Sequence, residues 1–214
     1  MLIGVAGFPC AGKGVVTDIL REKGFTTISL SDILREATDV LGMERTRQNL
    51  VDLAVFVREK ASGETLAKEA IRRVGTSNAV LESVRHPDEV KALKDSRGMF
   101  LFVVADAKKR FERMSERARE KDPSTWEAFL LHELIEHGVS DGAGQRIADC
   151  RNLADHVIEN NGSLEELKER VEELLSKIDG QEKPAQLHDV PSENHSSGTE
   201  TVSEDIDRVL YDRN

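Results

Sequence analysis

The sequence predicts an α/β domain built on a doubly wound, five-stranded parallel sheet. Over residues 1 to about 180, short apolar runs of strand length alternate with amphipathic stretches of helical length. This is the pattern of a parallel sheet that is covered by helices on both faces. A glycine-rich turn also follows the first apolar run and precedes the first amphipathic stretch. That order of strand, turn and helix is typical of doubly wound folds that bind phosphate groups.

The elements of the first half of the chain follow from apolar runs and capping residues. Residues 2–6 form an apolar run that predicts a buried strand, and residues 13–23 carry the apolar spacing of a helix. A second strand is predicted over residues 25–30. Ser31 is the expected N-cap of the next helix, because its hydroxyl can accept a hydrogen bond from an unsatisfied backbone N–H group. Three helical stretches, separated by glycine-containing turns, fill residues 32–74.

The second half of the chain continues the alternation. Its strands are predicted over residues 79–81, 99–105 and 154–158. Its helices are predicted over residues 108–120, 124–137 and 163–178. The last helix opens with Ser163-Leu-Glu-Glu, a capping box in which the serine and the glutamate satisfy backbone N–H groups reciprocally.

Composition divides the chain into a domain, a linker and a tail. Residues 1–180 hold the predicted domain, in which residues 31–75 form a helical insertion after the second strand. Residues 181–201 are polar and contain two prolines, so we expect a disordered linker. Residues 202–214 place four apolar side chains on one face of a short helix, which predicts a tail that binds a groove of its own domain or of a protein partner. The alternative is a solvated tail with accidental apolar spacing.

Charge and composition exclude several classes of function. The 214 residues carry 40 acidic and 30 basic side chains, a net charge of −10, which disfavours a broad surface for duplex nucleic acid. Aromatic residues make up 4%, too few for the stacking surfaces that bind single strands. Two cysteines cannot form a disulfide framework, and no apolar run approaches the roughly 20 residues of a membrane span. We therefore expect a cytoplasmic protein without a membrane contact.

The strongest motif is the segment Gly7-Phe-Pro-Cys-Ala-Gly12-Lys13-Gly14, which fits the pattern G-x-x-x-x-G-K between a strand and a helix. Glycines allow the tight turn, and the backbone N–H groups with the helix N-terminus form a nest for a polyphosphate. The motif predicts a P-loop NTPase fold in which Lys13 reaches the β- and γ-phosphates of ATP. The alternative is a turn that merely joins strand to helix. The predicted nucleotide-binding residues are Gly7, Phe8, Pro9, Cys10, Ala11, Gly12, Lys13, Gly14 and Val15.

One position departs from the usual phosphate loop. Gly14 stands where a serine or threonine normally supplies a hydroxyl to Mg²⁺. Thr17 lies one turn farther along the helix and would help only if the geometry allowed it. We therefore expect Mg²⁺ to be held mainly by phosphates, water and a carboxylate from elsewhere in the chain.

Several segments resemble known families. The form G-x-P-x-x-G-K-G resembles the phosphate loop of adenylate kinases, except that Val15 stands where those usually have threonine. Residues 1–178 resemble an uncharacterised, mainly archaeal family of adenylate-kinase-like P-loop proteins. The segments that carry this resemblance are Leu30-Ser-Asp-Ile-Leu-Arg35, Glu82-Ser-Val-Arg85, Arg110-Phe-Glu-Arg113, Asp122-Pro-Ser-Thr-Trp126 and Ala154–Ser163. The Glu82 segment is also similar to deoxynucleotide monophosphate kinases, and the last segment to dephospho-coenzyme A kinases.

The resemblance implies an acceptor site beside the phosphate loop. In nucleoside monophosphate kinases an Asp-x-x-Arg segment lines that site, which assigns Arg35 to an acceptor phosphate and Asp32 to the attacking oxygen or to Mg²⁺. Glu82 ends the third strand, where it would hold Mg²⁺ through water, and Arg85 would contact a phosphate. The alternatives are local ion pairs, Asp32 with Arg35 and Glu82 with Arg85.

A run of arginines predicts a lid over about residues 110–146. The run consists of Arg110, Arg113, Arg117 and Arg119. Phosphoryl transfer develops negative charge that arginines neutralise when a lid closes, and Arg113 and Arg117 are the predicted catalytic members. Arg146 is a further lid candidate. The alternative is a solvated helix face whose arginines pair with interleaved glutamates.

Together these features predict an ATP-dependent phosphotransferase with Mg²⁺ as its metal. It would move the γ-phosphoryl group of ATP to a small nucleotide or nucleotide-like acceptor. One alternative is a dephospho-coenzyme A kinase, whose acceptor is a ribose hydroxyl. Another is a nucleotide-binding regulatory protein with slow hydrolysis that acts through its C-terminal tail. The missing hydroxyl at position 14 and the tail favour the regulator, and the arginines favour the kinase.

Overall fold

The computed structural model describes residues 1–117, 122–137 and 145–181. Its strands are β1 (Leu2–Gly7), β2 (Thr26–Ser29), β3 (Ala79–Glu82), β4 (Met99–Val104) and β5 (His156–Glu159). They form one parallel sheet in the order β2-β3-β1-β4-β5. The predicted five-stranded parallel sheet is confirmed, and each strand overlaps its predicted segment.

Helices cover both faces of this sheet. They are α1 (Lys13–Glu22), α2 (Leu30–Val40), α3 (Arg47–Lys60), α4 (Thr65–Val74), α5 (Pro87–Asp95), α6 (Ala107–Arg117), α7 (Trp126–His137), α8 (Ile147–Arg151) and α9 (Leu164–Gln181). Ile3 and Val5 of β1 pack into a core shared with α1 and α9, whereas Phe100 and Phe102 of β4 pack into a second core shared with α2 to α5 and α8. Buried apolar layers on both sides make the sheet doubly wound, as predicted.

The prediction that Ser31 caps the helix after β2 is wrong. The N-cap is Ser29, whose Oγ accepts a hydrogen bond of 3.3 Å from the backbone N–H of Ser31. The chain passes directly from β2 into α2, so the last strand residue takes the capping position and Ser31 lies inside the first turn. At the other end of the domain, Ser163 accepts from the backbone N–H of Glu166 at 3.2 Å, which confirms the serine half of the predicted capping box.

Helix α5 lies between β3 and β4, where the sequence reading assigned no helix. Pro87 occupies its first position, and His86 Nδ1 accepts a hydrogen bond of 3.3 Å from the backbone N–H of Asp88. Glu89 accepts a hydrogen bond of 3.1 Å from the backbone N–H of His86 and closes a capping box. Histidine is an unusual N-cap, so none of the common capping residues serine, threonine, aspartate or asparagine marks the start of this helix in the sequence.

Some predictions fall on segments outside the described residues. These are the linker beyond residue 181, the tail at 202–214, Arg119, and residues 118–121 and 138–144 of the lid region. Helix α9 continues to Gln181, past its predicted end. No helix in the described ranges is long and apolar enough to cross a membrane.

Candidate active site

The phosphate loop lies at the carboxyl end of β1, the central strand. Gly7 has a φ of 148°, and a Cβ atom there would lie 2.2 Å from the carbonyl oxygen of Val103. Gly12 has a φ of 104°, and a Cβ atom there would lie 2.2 Å from Nδ2 of Asn160. A larger residue at either position would have to displace backbone or a buried side chain, so the geometry requires both glycines of the motif.

The side chain of Lys13 lies across its own loop. Its Nζ donates hydrogen bonds to the carbonyl oxygens of Gly7 at 2.8 Å and Phe8 at 2.9 Å. These carbonyls hold the ammonium group at the mouth of the loop, where oxygens of a bound phosphate would replace them.

Asn160 connects the end of β5 to the phosphate loop. It is buried, and its Nδ2 donates a hydrogen bond of 2.8 Å to the carbonyl oxygen of Ala11. The carbonyl oxygen of Asn160 accepts a hydrogen bond of 2.9 Å from Nη2 of Arg113. Nη1 of Arg113 is buried and has no hydrogen-bond partner among the described residues. Asn160 thus places Arg113, a predicted catalytic residue, next to the loop.

Two cavities open at the carboxyl ends of the strands. The first, here called the loop cavity, has a volume of about 300 Å³ and is lined by residues of the phosphate loop. The second, here called the arginine cavity, has a volume of about 440 Å³ and lies against α2 and α3. Arg47, Ser83 and Arg85 line both cavities. The cavities therefore meet at the carboxyl end of β3, and both are large enough for small ligands.

Cationic side chains are concentrated in the arginine cavity. The arginines that line it are Arg35, Arg45, Arg47, Arg58 and Arg85. At its base Nη2 of Arg58 and Oε1 of Glu89 form a buried ion pair at 2.7 Å. The other oxygen of Glu89 accepts a hydrogen bond of 2.7 Å from the backbone N–H of Arg85. This buried pair therefore fixes the backbone that carries Arg85.

Asp32 and Arg35 form an ion pair with each other on the exposed face of α2. Arg35 lines the arginine cavity. Asp32 does not appear in the described lining of either cavity. The local ion pair is present, and Arg35 is nevertheless in position to meet a ligand.

Glu82 ends β3 in register with Ser29 of β2. Its side chain is half-buried and makes no hydrogen bond or ion pair with the residues that the structure describes. Arg85 does not pair with it: Nη1 of Arg85 donates to Oε1 of Gln145 at 2.9 Å, and the carbonyl of Arg85 accepts from the backbone N–H of Arg146 at 2.8 Å. Glu82 thus keeps a carboxylate available beside the border of the two cavities.

Side chains supply only part of a Mg²⁺ site. Gly14 has no hydroxyl, and Thr17 is buried outside the described lining of both cavities. Within the described ranges, no group of three or more His, Cys, Asp or Glu residues is arranged to hold a metal. Glu82 offers one carboxylate. This set fits an ion that takes most of its ligands from phosphates and water.

The arginines of the predicted lid have different surroundings. Arg110 is buried, pairs with Glu133 of α7, and lies 5.3 Å from the ring centroid of Phe8. It therefore packs α6 and α7 against the phosphate loop. Arg117 lines the loop cavity, and its Nη2 donates a hydrogen bond of 2.8 Å to Asp122.

The two thiols differ in their distance from the site. Cys10 lies in the phosphate loop, where burial raises the pKa of its thiol and the charges of Arg117 and Lys13 partly oppose that rise. Cys150 lies on α8, and burial raises its pKa to about 12. Both thiols are therefore protonated at neutral pH.

Sequence reasoning missed two residues at the border of the cavities. Arg47 is the first residue of α3 and belongs to no motif of the phosphate loop. Ser83 stands inside the quoted Glu82 segment, but its φ of 64° and its position between the cavities are visible only in the structure. Thr46 caps α3 and so fixes where that helix begins, but a cap does not indicate that the next residue meets a ligand.

The strand order, the phosphate loop after β1 and the helical insertion after β2 define a P-loop kinase-like fold. A shikimate kinase from Bacteroides thetaiotaomicron has the same fold, with a TM-score of 0.53 and 16% identity over 82% of this chain and 98% of its own. A shikimate kinase from Acinetobacter baumannii in complex with shikimate has a TM-score of 0.52 and 16% identity over 86% and 95%. At this identity the likeness concerns the fold.

Sequence comparisons define the family. The model of the AAA_18 family, described as an AAA domain, matches residues 3–129. A UPF0200 protein from Hyperthermus butylicus is 35% identical over 85% of this chain and 96% of its own length. Another from Thermococcus kodakarensis is 33% identical over 83% of this chain and 100% of its own length. The chain therefore belongs to the AAA_18 domain family and to the archaeal UPF0200 proteins, which confirms the resemblance to an archaeal P-loop family.

Proposed function

We propose that the protein is an ATP-dependent phosphotransferase that moves the γ-phosphoryl group of ATP to the phosphate of a small nucleotide or nucleotide-like acceptor. The observation that carries this proposal is the meeting of the loop cavity and the arginine cavity at Arg47, Ser83 and Arg85. A donor on the phosphate loop and an acceptor in the arginine cavity would face each other across this border. Direct transfer requires that proximity.

The donor side is assigned to the loop cavity. ATP would place its phosphates on the loop amides and on Lys13. When bound, Mg²⁺ neutralises phosphate charge, and Glu82 is the residue that would hold it through water. Arg117 lines the loop cavity, whereas Arg113 is held on Asn160 outside the described lining of both cavities. These are the two cations that would stabilise the charge developing during transfer.

The charged groups of the cavities favour a phosphate over a hydroxyl as the acceptor. A hydroxyl must lose its proton, commonly to a carboxylate that acts as a base. In the described lining of the two cavities, the carboxylates are Asp122 and Glu89, and each pairs with an arginine. A phosphate oxygen is already anionic and needs cations, which Arg35 and Arg85 would supply. Asp32 would act on the acceptor through Arg35, its ion-pair partner.

The same reasoning ranks the alternatives. A dephospho-coenzyme A kinase phosphorylates a ribose hydroxyl and ranks lower, because both carboxylates in the described lining pair with arginines and Glu82, beside the border, is assigned to Mg²⁺. A nucleotide-binding regulatory protein with slow hydrolysis is the second candidate, because position 14 lacks the hydroxyl that usually binds Mg²⁺.

A single screen tests the proposal. The protein is incubated with ATP, Mg²⁺ and, in turn, nucleoside monophosphates, deoxynucleoside monophosphates and dephospho-coenzyme A. We expect ADP release that depends on a phosphate-bearing acceptor, together with a new phosphoanhydride signal in the ³¹P NMR spectrum. ATP binding without acceptor-dependent ADP release would contradict the kinase and support the regulator. A new phosphomonoester signal from dephospho-coenzyme A would instead identify a hydroxyl acceptor.

A further inference from the structure

Ser83 combines a rare backbone conformation with a central position. Its φ is 64°, in the left-handed region that favours glycine. It lines both cavities and follows Glu82 at the carboxyl end of β3. Glycine would adopt this backbone without strain, yet the chain carries a side chain here. Strained non-glycine residues are concentrated at functional sites, where the surrounding structure maintains them.

The hydroxyl of Ser83 is oriented by a neighbouring hydroxyl. Its Oγ lies 2.9 Å from Oγ of Ser29. Oγ of Ser29 already accepts a hydrogen bond from the backbone N–H of Ser31 as the N-cap of α2. When Ser29 donates its own proton to Ser83, the proton of Ser83 can point to a ligand at the border. A chain of hydrogen bonds in one direction strengthens each of its members.

The surroundings of Ser83 match a phosphoryl group. The two other residues that line both cavities are Arg47 and Arg85, so the border presents two guanidinium groups and one hydroxyl. All three are hydrogen-bond donors, and phosphoryl oxygens accept such bonds during transfer. A hydrogen-bond donor at this point would lie where a group that passes from one cavity to the other crosses the border.

We propose that Ser83 is a catalytic residue whose Oγ donates a hydrogen bond to the phosphoryl group during transfer, an inference that rests on the proposed function. In the reaction an acceptor oxygen forms a new bond to the γ-phosphorus, the bond from that phosphorus to the bridging oxygen breaks, and the electron pair of that bond leaves with ADP. Ser83 keeps its proton and forms no covalent bond. Its contribution is greatest in the transition state, when negative charge on the transferred oxygens is redistributed.

Two substitutions separate this role from a structural one. Ser83→Gly removes the hydroxyl and relieves the backbone strain, so its melting temperature should equal or exceed that of the wild type. Ser83→Ala removes the hydroxyl and keeps the strain. We expect kcat to fall by about 10- to 100-fold in both variants, with little change in the dissociation constant for ATP. A Ser83→Gly variant that has a higher melting temperature and a lower kcat would show that the hydroxyl serves catalysis and not stability.

Matched controls complete the experiment. Arg97 has a φ of 58° and is exposed in the turn before β4, at the opposite end of the sheet from the cavities. Arg97→Gly should raise the melting temperature without changing kcat. Ser29→Ala removes both the cap of α2 and the hydroxyl that orients Ser83, so it should lower stability and also lower kcat, by less than the Ser83 variants do. If both Ser83 variants keep the kcat of the wild type, the role of Ser83 is overturned and the proposed function stands. If the wild type shows no acceptor-dependent transfer, both are overturned.

Discussion

The side-chain amide of Asn160 donates a hydrogen bond of 2.8 Å to the carbonyl oxygen of Ala11 and so joins the end of β5 to the phosphate loop. The same residue accepts a hydrogen bond from Arg113 on α6 through its own carbonyl. Three segments that are far apart in the sequence are therefore held together at one buried asparagine. Its contribution to the loop can be measured.

Asn160→Ala should weaken ATP binding as well as the fold. The substitution leaves the buried carbonyl of Ala11 without its partner, which costs about 1–3 kcal/mol of unfolding free energy. Denaturant unfolding and calorimetric titration with a non-hydrolysable ATP analogue measure the two effects. Asn161→Ala is the control, because Asn161 bonds to Asp106 away from the loop. Equal losses of ATP affinity in both variants would contradict the role of Asn160 in holding the phosphate loop.

Lys13→Ala should abolish phosphoryl transfer and leave the fold intact. The side chain contacts carbonyls of its own loop and fills no core position, so the melting temperature should change little. Loss of the phosphate contact should lower kcat/KM by about 100-fold or more. Lys23→Ala, which removes an exposed lysine at the C-terminal end of α1, should leave turnover unchanged. Turnover at the wild-type rate in Lys13→Ala would refute the role of Lys13 in binding the phosphates of ATP.

Arg35→Ala should raise the KM for the acceptor about tenfold while the KM for ATP stays within a few-fold of the wild type. The reason is that Arg35 lines the arginine cavity and not the loop cavity. Steady-state kinetics with each substrate varied in turn give both constants. Arg21→Ala removes a similar exposed i,i+3 ion pair, with Asp18 on α1, and should change neither constant. A selective rise in the KM for ATP in Arg35→Ala would mean that the acceptor does not bind in the arginine cavity.

Arg58→Met should be strongly destabilising. Arg58 and Glu89 have side-chain exposures of 5% and 1%, so removing the guanidinium leaves a buried carboxylate without its counter-charge. The expected loss of unfolding free energy is about 3–5 kcal/mol, measured by denaturant titration. Lys68→Met, which breaks the more exposed pair with Glu64, should cost less than about 1 kcal/mol. Similar losses in the two variants would show that the pair at the base of the arginine cavity is not decisive for folding.

Alkylation of Cys10 should be slow at about pH 7 and accelerate toward about pH 10. Burial raises the pKa of this thiol, so the reactive thiolate is scarce at neutral pH and forms as the pH increases. Cys150, with its pKa raised to about 12, should stay unmodified over the same range. ATP should slow the reaction of Cys10 because the residue lines the loop cavity. Mass spectrometry of iodoacetamide-treated protein measures both sites, and rapid labelling of Cys10 at neutral pH would contradict this prediction.

The sheet and the phosphate loop could be predicted because their signals are local. Five apolar runs mark the strands, and Gly7, Gly12 and Lys13 lie within one short segment. The start of α2 could not be fixed from local signals, since Ser29 and Ser31 are both good caps and only the end of β2 decides between them. Helix α5 was missed because its cap is a histidine.

The border of the two cavities could not be predicted from the sequence. Arg47 comes from α3 and Ser83 from the end of β3, and their meeting depends on how the helical insertion packs against the sheet. Likewise, the link between Asn160 and Ala11 spans 149 positions. A sequence motif identifies residues that are close together in the chain, whereas this site is formed by residues from distant segments.

The resting position of Lys13 has a consequence for competition between anions. Because its ammonium group already bonds to the carbonyl oxygens of Gly7 and Phe8, an incoming anion would compete with these carbonyls for the N–H donors of Lys13. A single inorganic phosphate offers few replacements, while a triphosphate also engages the amides along the loop. Lys13 and the loop amides together would therefore favour a polyphosphate over a single phosphate, because only the longer anion can bond to both at once.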